Sequence, residues 1–91
     1  MTEPEYRLVV AATAERSLAR LPEGVAAAIV EFMLGTLVDA PRRVGHPLQR
    51  ELAGLWVARR GPYRLVYDID DDRRAVRVLR IDHRADIYRP R

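Results

Sequence analysis

Three short apolar runs follow one another in the second half of the chain, and they limit its possible folds more than any other feature. They occupy residues 55–60, 63–69 and 75–82, and they are rich in the β-branched and aromatic side chains that strands favour. Gly61 and Pro62 separate the first two runs, and the acidic stretch 70–72 precedes the third. Because such connections are short enough for hairpins, the pattern predicts an antiparallel meander of three strands.

The first half of the chain predicts one more strand and two helices. An apolar run at residues 6–12 is typical of a strand, and Thr13 after it is a candidate N-cap for a short helix. Pro22 ends that helix and suits the first turn of a second one, in which apolar residues recur at helical spacing until Ala40 and Pro41. The two helices are expected to form a hairpin.

The predicted order of elements is β-α-α-β-β-β. We expect an α+β sandwich in which the N-terminal helical hairpin packs on one face of a mostly antiparallel four-stranded sheet. Residues 41–54, rich in Pro, Gly and Arg, are interpreted as a basic and partly irregular connector. In the last strand the apolar positions change parity after Val78, which indicates either a bulge or a central strand buried on both faces. The helices cover one face, so the other face is expected to be polar or to bind a partner.

Length and composition exclude several classes of protein. A chain of 91 residues has room for one domain, which we expect to span residues 1–91. It has no cysteine, and its histidines are His46 and His83, so we expect neither disulfides nor a zinc site, and we predict no cofactor. The N-terminus lacks an apolar signal region, and the longest apolar run, residues 24–30, is too short to span a bilayer. We therefore expect a cytoplasmic protein without membrane contact.

Charge is distributed unevenly along the chain. Residues 1–41 contain three Arg and six acidic residues, whereas residues 42–91 contain thirteen Arg and seven acidic residues. A basic half of this kind favours a polyanion such as RNA, or an acidic protein partner. The chain has no lysine, so an alternative is that the arginines reflect codon usage and merely cover the surface. The positions of the arginines must decide between these interpretations.

Arg64 is the arginine with the most informative position. In the run 63–69 one alternating set of side chains is typical of a core, and Arg64 belongs to the other set. Arg64 is thus expected to project from the uncovered face of a central strand, where a guanidinium group needs an anion or Asp68 beside it. Arg59, across a tight turn, and Arg84, just after the last strand, can reach the same face. Three guanidinium groups there predict a clamp for a phosphodiester, because the planar fork matches phosphate oxygens and stays charged.

His83 and Tyr88 lie close in sequence to this predicted clamp. Cleavage of RNA needs a base to take the 2′-hydroxyl proton and an acid to protonate the leaving 5′-oxygen. Arginine suits neither role, because its pKa is above about 12, whereas neighbouring guanidinium groups favour the neutral form of a histidine. His83 is therefore the candidate base, and Tyr88 is a candidate acid or a stacking residue. The alternatives are a surface or capping role for His83 and simple packing of Tyr88 against the sheet.

Several other residues are candidates for contact with RNA. The candidate backbone contacts are Arg42, Arg43, Arg50, Arg60 and Arg89. A solvated connector explains Arg42, Arg43 and Arg50 equally well. For Trp56 core packing is the favoured interpretation, and stacking on a base is the alternative.

Two stretches of the sequence carry a family resemblance. Residues 54–67, G-L-W-V-A-R-R-G-P-Y-R-L-V-Y, resemble a pattern of G-x-W, an Arg, a Gly turn and then YR-x-x-Y. Residues 83–88, H-R-A-D-I-Y, resemble a closing HR-x-x-x-Y. In this order after a helical hairpin, they are similar to the RelE/ParE toxin superfamily over nearly the whole chain. The resemblance implies the RelE fold and the toxin of a type II toxin–antitoxin system.

The RelE branch, by resemblance, is an mRNA interferase that enters the ribosomal A site and cuts mRNA there. The implied partners are mRNA, the ribosome and a RelB-like antitoxin, with operator DNA reached only through the antitoxin. Carried over by position, Arg64 and Arg84 match the arginines that hold the scissile phosphate, Tyr88 matches a late tyrosine, and Arg59 matches a basic position that is often Lys.

The second strand departs from the best-known family pattern. Some members have two lysines there, one of them assigned as the base, whereas this chain has Val57 and Arg59. Either His83 takes that role, or the chain is a weak nuclease. One rival function is a ParE-like inhibitor of DNA gyrase without nuclease activity, which shares the fold. Another is an inactive member that only binds its antitoxin.

Overall fold

Residues 6–83 are the part of the chain that the computed structural model describes. The strands are β1 Arg7–Val10, β2 Gly45–Pro47, β3 Trp56–Arg60, β4 Tyr63–Asp70 and β5 Ala75–His83, and the helices are α1 Ala12–Ala19, α2 Glu23–Phe32 and α3 Pro41–Val44. A π-helical turn, Met33–Leu37, continues α2, and a 3₁₀ turn, Arg50–Leu52, precedes β3. No helix within this part of the chain is both long enough and apolar enough to cross a membrane.

The strands form one sheet in the order β1-β5-β4-β3-β2. β1 is parallel to β5, and the other neighbours are antiparallel. The predicted α+β class and the meander of β3, β4 and β5 are confirmed. The expected number of four strands is wrong, because β2 adds a fifth strand at the edge next to β3. β2 has only three residues and includes Pro47, so it has too little alternation to be recognised, and an edge tolerates the missing N–H of proline.

A bulge in β5 changes which residues share a face of the sheet. Val66 lies opposite Arg80, but the next residue of β4, Tyr67, lies opposite Val78, so Leu79 is the extra residue. β5 is also central, between β1 and β4. The bulge is therefore confirmed, whereas the alternative of burial on both faces is wrong, because Arg77 and Arg80 are exposed on the other side of β5. The bulge turns Ile81 toward the same side as Val78, and both are buried.

The core lies between the helices and one face of the sheet. Its helical side includes Ala14, Ile29, Met33 and Leu37, and its sheet side includes Ala58, Leu65, Tyr67, Val76, Val78 and Ile81. Trp56 is half-buried and packs against this cluster, which confirms the favoured interpretation of that residue. The opposite face of the sheet is left without helices, and we call it the open face.

Tyr67 ties the connector to the core. Its fully buried hydroxyl donates a 2.6 Å hydrogen bond to the carbonyl oxygen of Pro41, at the start of α3. Gly45 allows this approach, because a Cβ there would collide with the Tyr67 hydroxyl and would lie 2.8 Å from the carbonyl oxygen of Val57. Burial raises the pKa of Tyr67 to about 12. The connector predicted to be partly irregular is therefore more ordered than its sequence suggests.

The predicted start of the first helix is wrong by two residues. Helix α1 begins at Ala12 after the cap residue Ala11, and no side chain caps it. The backbone N–H of Ala11 donates a 2.9 Å hydrogen bond to the carbonyl oxygen of Val78, so the end of β1 sets the turn and Thr13 already lies in the helix. The second helix starts directly after Pro22, as predicted.

Candidate functional site

The open face brings together three charged residues at one end of the sheet. Arg59 on β3 lies directly opposite Arg64 on β4, and Arg64 lies directly opposite Asp82 on β5. Residues opposite each other in antiparallel strands share a face. The neighbouring pair, Leu65 and Ile81, is buried under the helices, so the charged row projects from the other side of the sheet. We call Arg59, Arg64 and Asp82 the charged row.

A pocket of about 370 Å³ adjoins the charged row. Six aliphatic residues and three charged residues line this open-face pocket: Leu48, Leu52, Leu55, Val57, Val66, Leu79, Arg64, Arg80 and Asp82. Its floor comes from the sheet, through Val57, Val66 and Leu79. Its wall comes from the segment 48–55 that leads into β3.

Local hydrogen bonds hold the wall of the open-face pocket in place. The N–H of Leu48 donates to the carbonyl oxygen of Leu55 at 2.8 Å, and the N–H of Leu55 donates to that of Leu52 at 3.0 Å. Gly54, with φ of 98°, adopts the left-handed backbone conformation that favours glycine. The compact turn that results sets three leucines beside the sheet.

Asp82 lies next to two of the arginines at the pocket. It lies opposite Arg64 in the register, and its Oδ2 is 2.8 Å from Nη2 of Arg80. Its side chain is only 19% exposed. Asp68, named from the sequence as a possible partner of Arg64, instead accepts a 2.8 Å hydrogen bond from Nε of Arg77. Sequence reasoning did not identify Arg80 and Asp82, because the bulge at Leu79 is what turns them to the open face.

His83 lies on the other side of the sheet. It is paired with Tyr63, and the two rings meet edge to face with centroids 5.3 Å apart. Tyr63 and His83 alternate with Arg64 and Asp82, so the expected position of His83 among the guanidinium groups is wrong. The reason is the bulge at Leu79, because unbroken alternation from Val78 would have turned His83 to the open face.

Comparison with known proteins identifies the family. Residues 8–88 match the family described as ParE toxin of type II toxin-antitoxin system, parDE. The chain belongs to this toxin family. The toxin is 56% identical over 84 residues to Toxin RelG of Mycobacterium tuberculosis, covering 92% of this chain and 97% of RelG. It is 50% identical over 84 residues to Toxin RelE of the same organism, covering 92% of this chain and 87% of RelE. It is thus a RelE/RelG-type toxin of a toxin–antitoxin system.

Solved structures agree with this assignment. The toxin superposes on the toxin–antitoxin complex RelBE2 of M. tuberculosis with a TM-score of 0.84 and 52% identity, covering 89% of this chain and 99% of that chain. It superposes on the isolated RelE toxin of E. coli with a TM-score of 0.69 and 20% identity, covering 86% and 83% of the two chains. The second likeness shows the fold alone. The resemblance found in the sequence is confirmed.

Arg42 takes part in a network far from the charged row. Its Nη2 lies 2.7 Å from Oδ2 of Asp71, and the Tyr6 hydroxyl donates a 2.7 Å hydrogen bond to Oδ1 of the same carboxylate. These hydrogen bonds hold the pKa of Asp71 below its usual range. Arg42 thus joins α3 to the turn between β4 and β5, and its expected contact with RNA stays a prediction.

The remaining residues that were predicted to contact RNA lie at separate places on the described part of the toxin or outside that part. Arg60 lies opposite Tyr63 and lines a surface pocket with Glu31 and Phe32 of α2, on the helical side of the sheet, and its expected contact with RNA stays a prediction. Arg43 and Arg50 are exposed and do not line the open-face pocket. Arg84, Tyr88 and Arg89 lie outside the described residues. Within residues 6–83, no group of three or more His, Cys, Asp or Glu is arranged to hold a metal ion.

Proposed function

We propose that this toxin is a ribosome-dependent endoribonuclease that cleaves mRNA in the A site and so arrests translation and growth. The observation that supports the proposal most is the pair formed by Arg59 and Arg64 on a face that the helices leave open. Guanidinium groups bind phosphodiesters through paired hydrogen bonds and stay charged at every physiological pH. Two relatives that are at least 50% identical to the toxin are named RelG and RelE.

The reaction that fits this site is attack of the 2′-hydroxyl on the adjacent phosphate. The 2′-oxygen forms a bond to phosphorus and loses its proton, the bond from phosphorus to the 5′-oxygen breaks, and that oxygen gains a proton. The products are a 2′,3′-cyclic phosphate and a new 5′-hydroxyl end. We propose that Arg64 and Arg59 hold the phosphate and stabilise its charge in the transition state. The sequence resemblance adds Arg84 and Tyr88 to the residues of the proposed site.

The position of the His83 ring changes the residues to which we assign the two proton transfers. The His83 ring packs against Tyr63, so the hypothesis that His83 is the base requires the ring to leave that contact. We therefore propose that the arginines provide most of the rate enhancement, that water accepts the proton of the 2′-hydroxyl and that Tyr88 donates the proton to the leaving 5′-oxygen. Removing one donor to a transition-state oxyanion typically costs a factor of about 10² to 10³ in rate.

We propose a RelB-like antitoxin as the protein partner. Relatives of the toxin were solved as the complex RelBE2 of M. tuberculosis and as the RelBE complex of E. coli. An acidic or amphipathic chain that covers the arginines would block access of RNA to the charged row. Operator DNA is expected to be reached only through the antitoxin. A cytoplasmic location follows from the proposed targets, the ribosome and its mRNA.

A ParE-like inhibitor of DNA gyrase is the second candidate function. Its support is the family description, which names ParE, and the position of His83 away from the charged row. Two parallel assays separate the candidates: integrity of a defined message in a purified translation reaction, and gyrase supercoiling of relaxed plasmid. We expect the message to be cut and supercoiling to continue. Blocked supercoiling with an intact message would establish the ParE function, and no effect in either assay would indicate a member that only binds its antitoxin.

A further inference from the structure

The open-face pocket has the size and composition of a ligand site. Its volume of about 370 Å³ lies in the range of small-molecule sites, and most of its lining is aliphatic. Leu52 on its wall is 51% exposed, and it lines the pocket together with five other aliphatic residues. Apolar surface next to a phosphate-binding row is expected to be covered when the ligand of that row is bound.

Asp82 is the acidic residue among those that line this pocket. A carboxylate repels the phosphate groups that Arg59 and Arg64 attract. Arg80 forms an ion pair with it, its Nη2 lying 2.8 Å from Oδ2, and the carboxylate lines the pocket rather than the surrounding surface. An anionic acceptor at that position suits a ligand that brings N–H donors. The arginines then face the backbone of the ligand, and Asp82 faces its donor edge.

We propose that the open-face pocket binds one nucleobase of the message, and that Asp82 selects a base with N–H donors on its Watson–Crick edge. The proposal rests on the proposed function, because it takes mRNA as the ligand. Single-stranded bases are read when they are unstacked, packed on apolar or guanidinium surfaces and hydrogen-bonded along their edges. Val57, Val66 and Leu79 provide an aliphatic floor for the base, and Leu52 covers it from the wall.

The chemistry of the four bases sets the expected order of affinity. Guanine has two adjacent donors, N1–H and N2–H, on its Watson–Crick edge, which suit a carboxylate best. Adenine and cytosine each have one amino group there. Uracil has a single N3–H between two carbonyl oxygens, and those oxygens are repelled by the carboxylate of Asp82. We therefore expect guanine to bind most tightly and uracil most weakly.

An apolar side chain of the antitoxin is the competing occupant. A leucine side chain would suit the aliphatic wall and floor. It would also take Arg64, Arg80 and Asp82 out of water without giving them hydrogen bonds, which is costly for charged groups. A base covers the same apolar surface and brings donors to Asp82, while its phosphates lie near the arginines. Charge complementarity thus favours the base.

The test uses full-length toxin released from its antitoxin and four trinucleotides, UGU, UAU, UCU and UUU. All carry 2′-O-methyl groups, which prevent cleavage, so the readout is binding alone. NMR of the leucine and valine methyl groups locates the ligand, and titration gives each Kd. We expect UGU to bind about tenfold more tightly than UUU, since one good base contact discriminates by that factor or more. The shifts should lie at Leu52, Leu55, Val57 and Val66.

Matched variants separate the roles of the lining residues. Asp82→Asn should bring the ratio of the UUU and UGU dissociation constants close to one, whereas Asp72→Asn, which removes an exposed carboxylate at the turn before β5, should leave it unchanged. Leu52→Ala should weaken all four trinucleotides by a similar factor, about threefold or more. Leu34→Ala removes a leucine that is 58% exposed and does not line the pocket, and it should change nothing.

Three results would overturn the proposal. They are equal affinity of wild-type toxin for the four trinucleotides, a base preference that survives Asp82→Asn, and methyl shifts at the pocket with the antitoxin but with no trinucleotide. The experiments distinguish a failure of the proposed nuclease function from a failure of the base pocket. A toxin that cuts ribosome-bound message but binds the four trinucleotides equally contradicts the base pocket alone, and one that discriminates among them but cuts no message contradicts the nuclease alone.

Discussion

Arg59 and Arg64 lie directly opposite each other on the adjacent antiparallel strands β3 and β4. Like charges at such positions repel, so this pair destabilises the isolated chain. Asp82 lies opposite Arg64 on the next strand and offsets part of that repulsion, while it also contacts Arg80. The positive charge that remains lies on a face without helices. A bound phosphodiester would neutralise it, so the same pair that is unfavourable in the free toxin is suited to the proposed substrate.

Replacing Arg64 should remove most of the activity and leave the fold intact. We expect Arg64→Ala to lower the rate of message cleavage by a factor of about 10² to 10³, because one donor to the phosphate is lost. Arg64→Lys should restore only part of the rate, since an ammonium group lacks the planar fork. Arg73→Ala is the control, because Arg73 is 78% exposed on the turn before β5. Full activity of Arg64→Ala, measured by cleavage in a translation reaction, would exclude the clamp.

His83 should matter much less than Arg64. Its ring packs edge to face on Tyr63, and such a contact stabilises a fold by about 0.5 to 1.5 kcal/mol. We expect His83→Ala to lower the melting temperature slightly and to reduce the cleavage rate by less than about tenfold, which is below the factor of about 10² to 10⁴ that general acid–base catalysis contributes. His46→Ala provides the matched control. A loss of cleavage rate as large as that of Arg64→Ala would instead support His83 as the base.

Binding to RNA should depend steeply on salt. Each phosphate that a protein neutralises on a single strand contributes a slope of about −0.7 to the logarithm of affinity against the logarithm of salt concentration. Fluorescence anisotropy with a single-stranded RNA over about 50 to 200 mM salt gives this slope. Arg59→Ala should make it less steep by about 0.7, one phosphate contact. A slope near zero for the unmodified toxin would contradict electrostatic binding by the open face.

The stability of the toxin should fall in strongly alkaline solution through Tyr67. Burial raises the pKa of Tyr67 to about 12, whereas a tyrosine in an unfolded chain titrates near 10. Between about pH 10 and 12 the unfolded chain therefore loses a proton that the folded chain keeps, and the free energy of unfolding decreases as pH rises. Urea unfolding of the unmodified toxin and of Tyr67→Phe measures the difference.

The phenylalanine variant isolates this effect from the other titrating groups. It should be less stable at neutral pH by about 1 to 3 kcal/mol, because the Pro41 carbonyl oxygen loses its buried donor. Its free energy of unfolding should decrease less between about pH 10 and 12 than that of the unmodified toxin. Parallel pH profiles for the two proteins would show that Tyr67 does not titrate with a raised pKa.

Residue alternation within single strands could be predicted from the sequence. The pattern in residues 63–69 placed Arg64 opposite the core, and the short turn at Gly61 brought Arg59 to the same face, as the register shows. β2 could not be predicted, because three residues at an edge owe their structure to pairing with β3 rather than to their own pattern. The motif resemblance gave the family because it covers nearly the whole chain.

The bulge at Leu79 decided the part of the site that could not be predicted. The parity change in β5 was visible in the sequence, but the residue that is inserted depends on the pairing with Val66 and Tyr67. Without the bulge, Arg80 and Asp82 would share the buried face of Val78, and His83 would share the open face with Arg64. The one inserted residue therefore places Asp82, rather than His83, at the candidate site.

Mapping of cleavage on translating ribosomes tests the central claim most directly. Purified toxin is added to ribosomes translating a defined message, and new 5′ ends are located by primer extension, with Arg64→Ala beside it. The proposal predicts new ends within the codon that occupies the A site, and their absence with Arg64→Ala. An intact message, or ends that persist with the Arg64 variant, would contradict cleavage by this site.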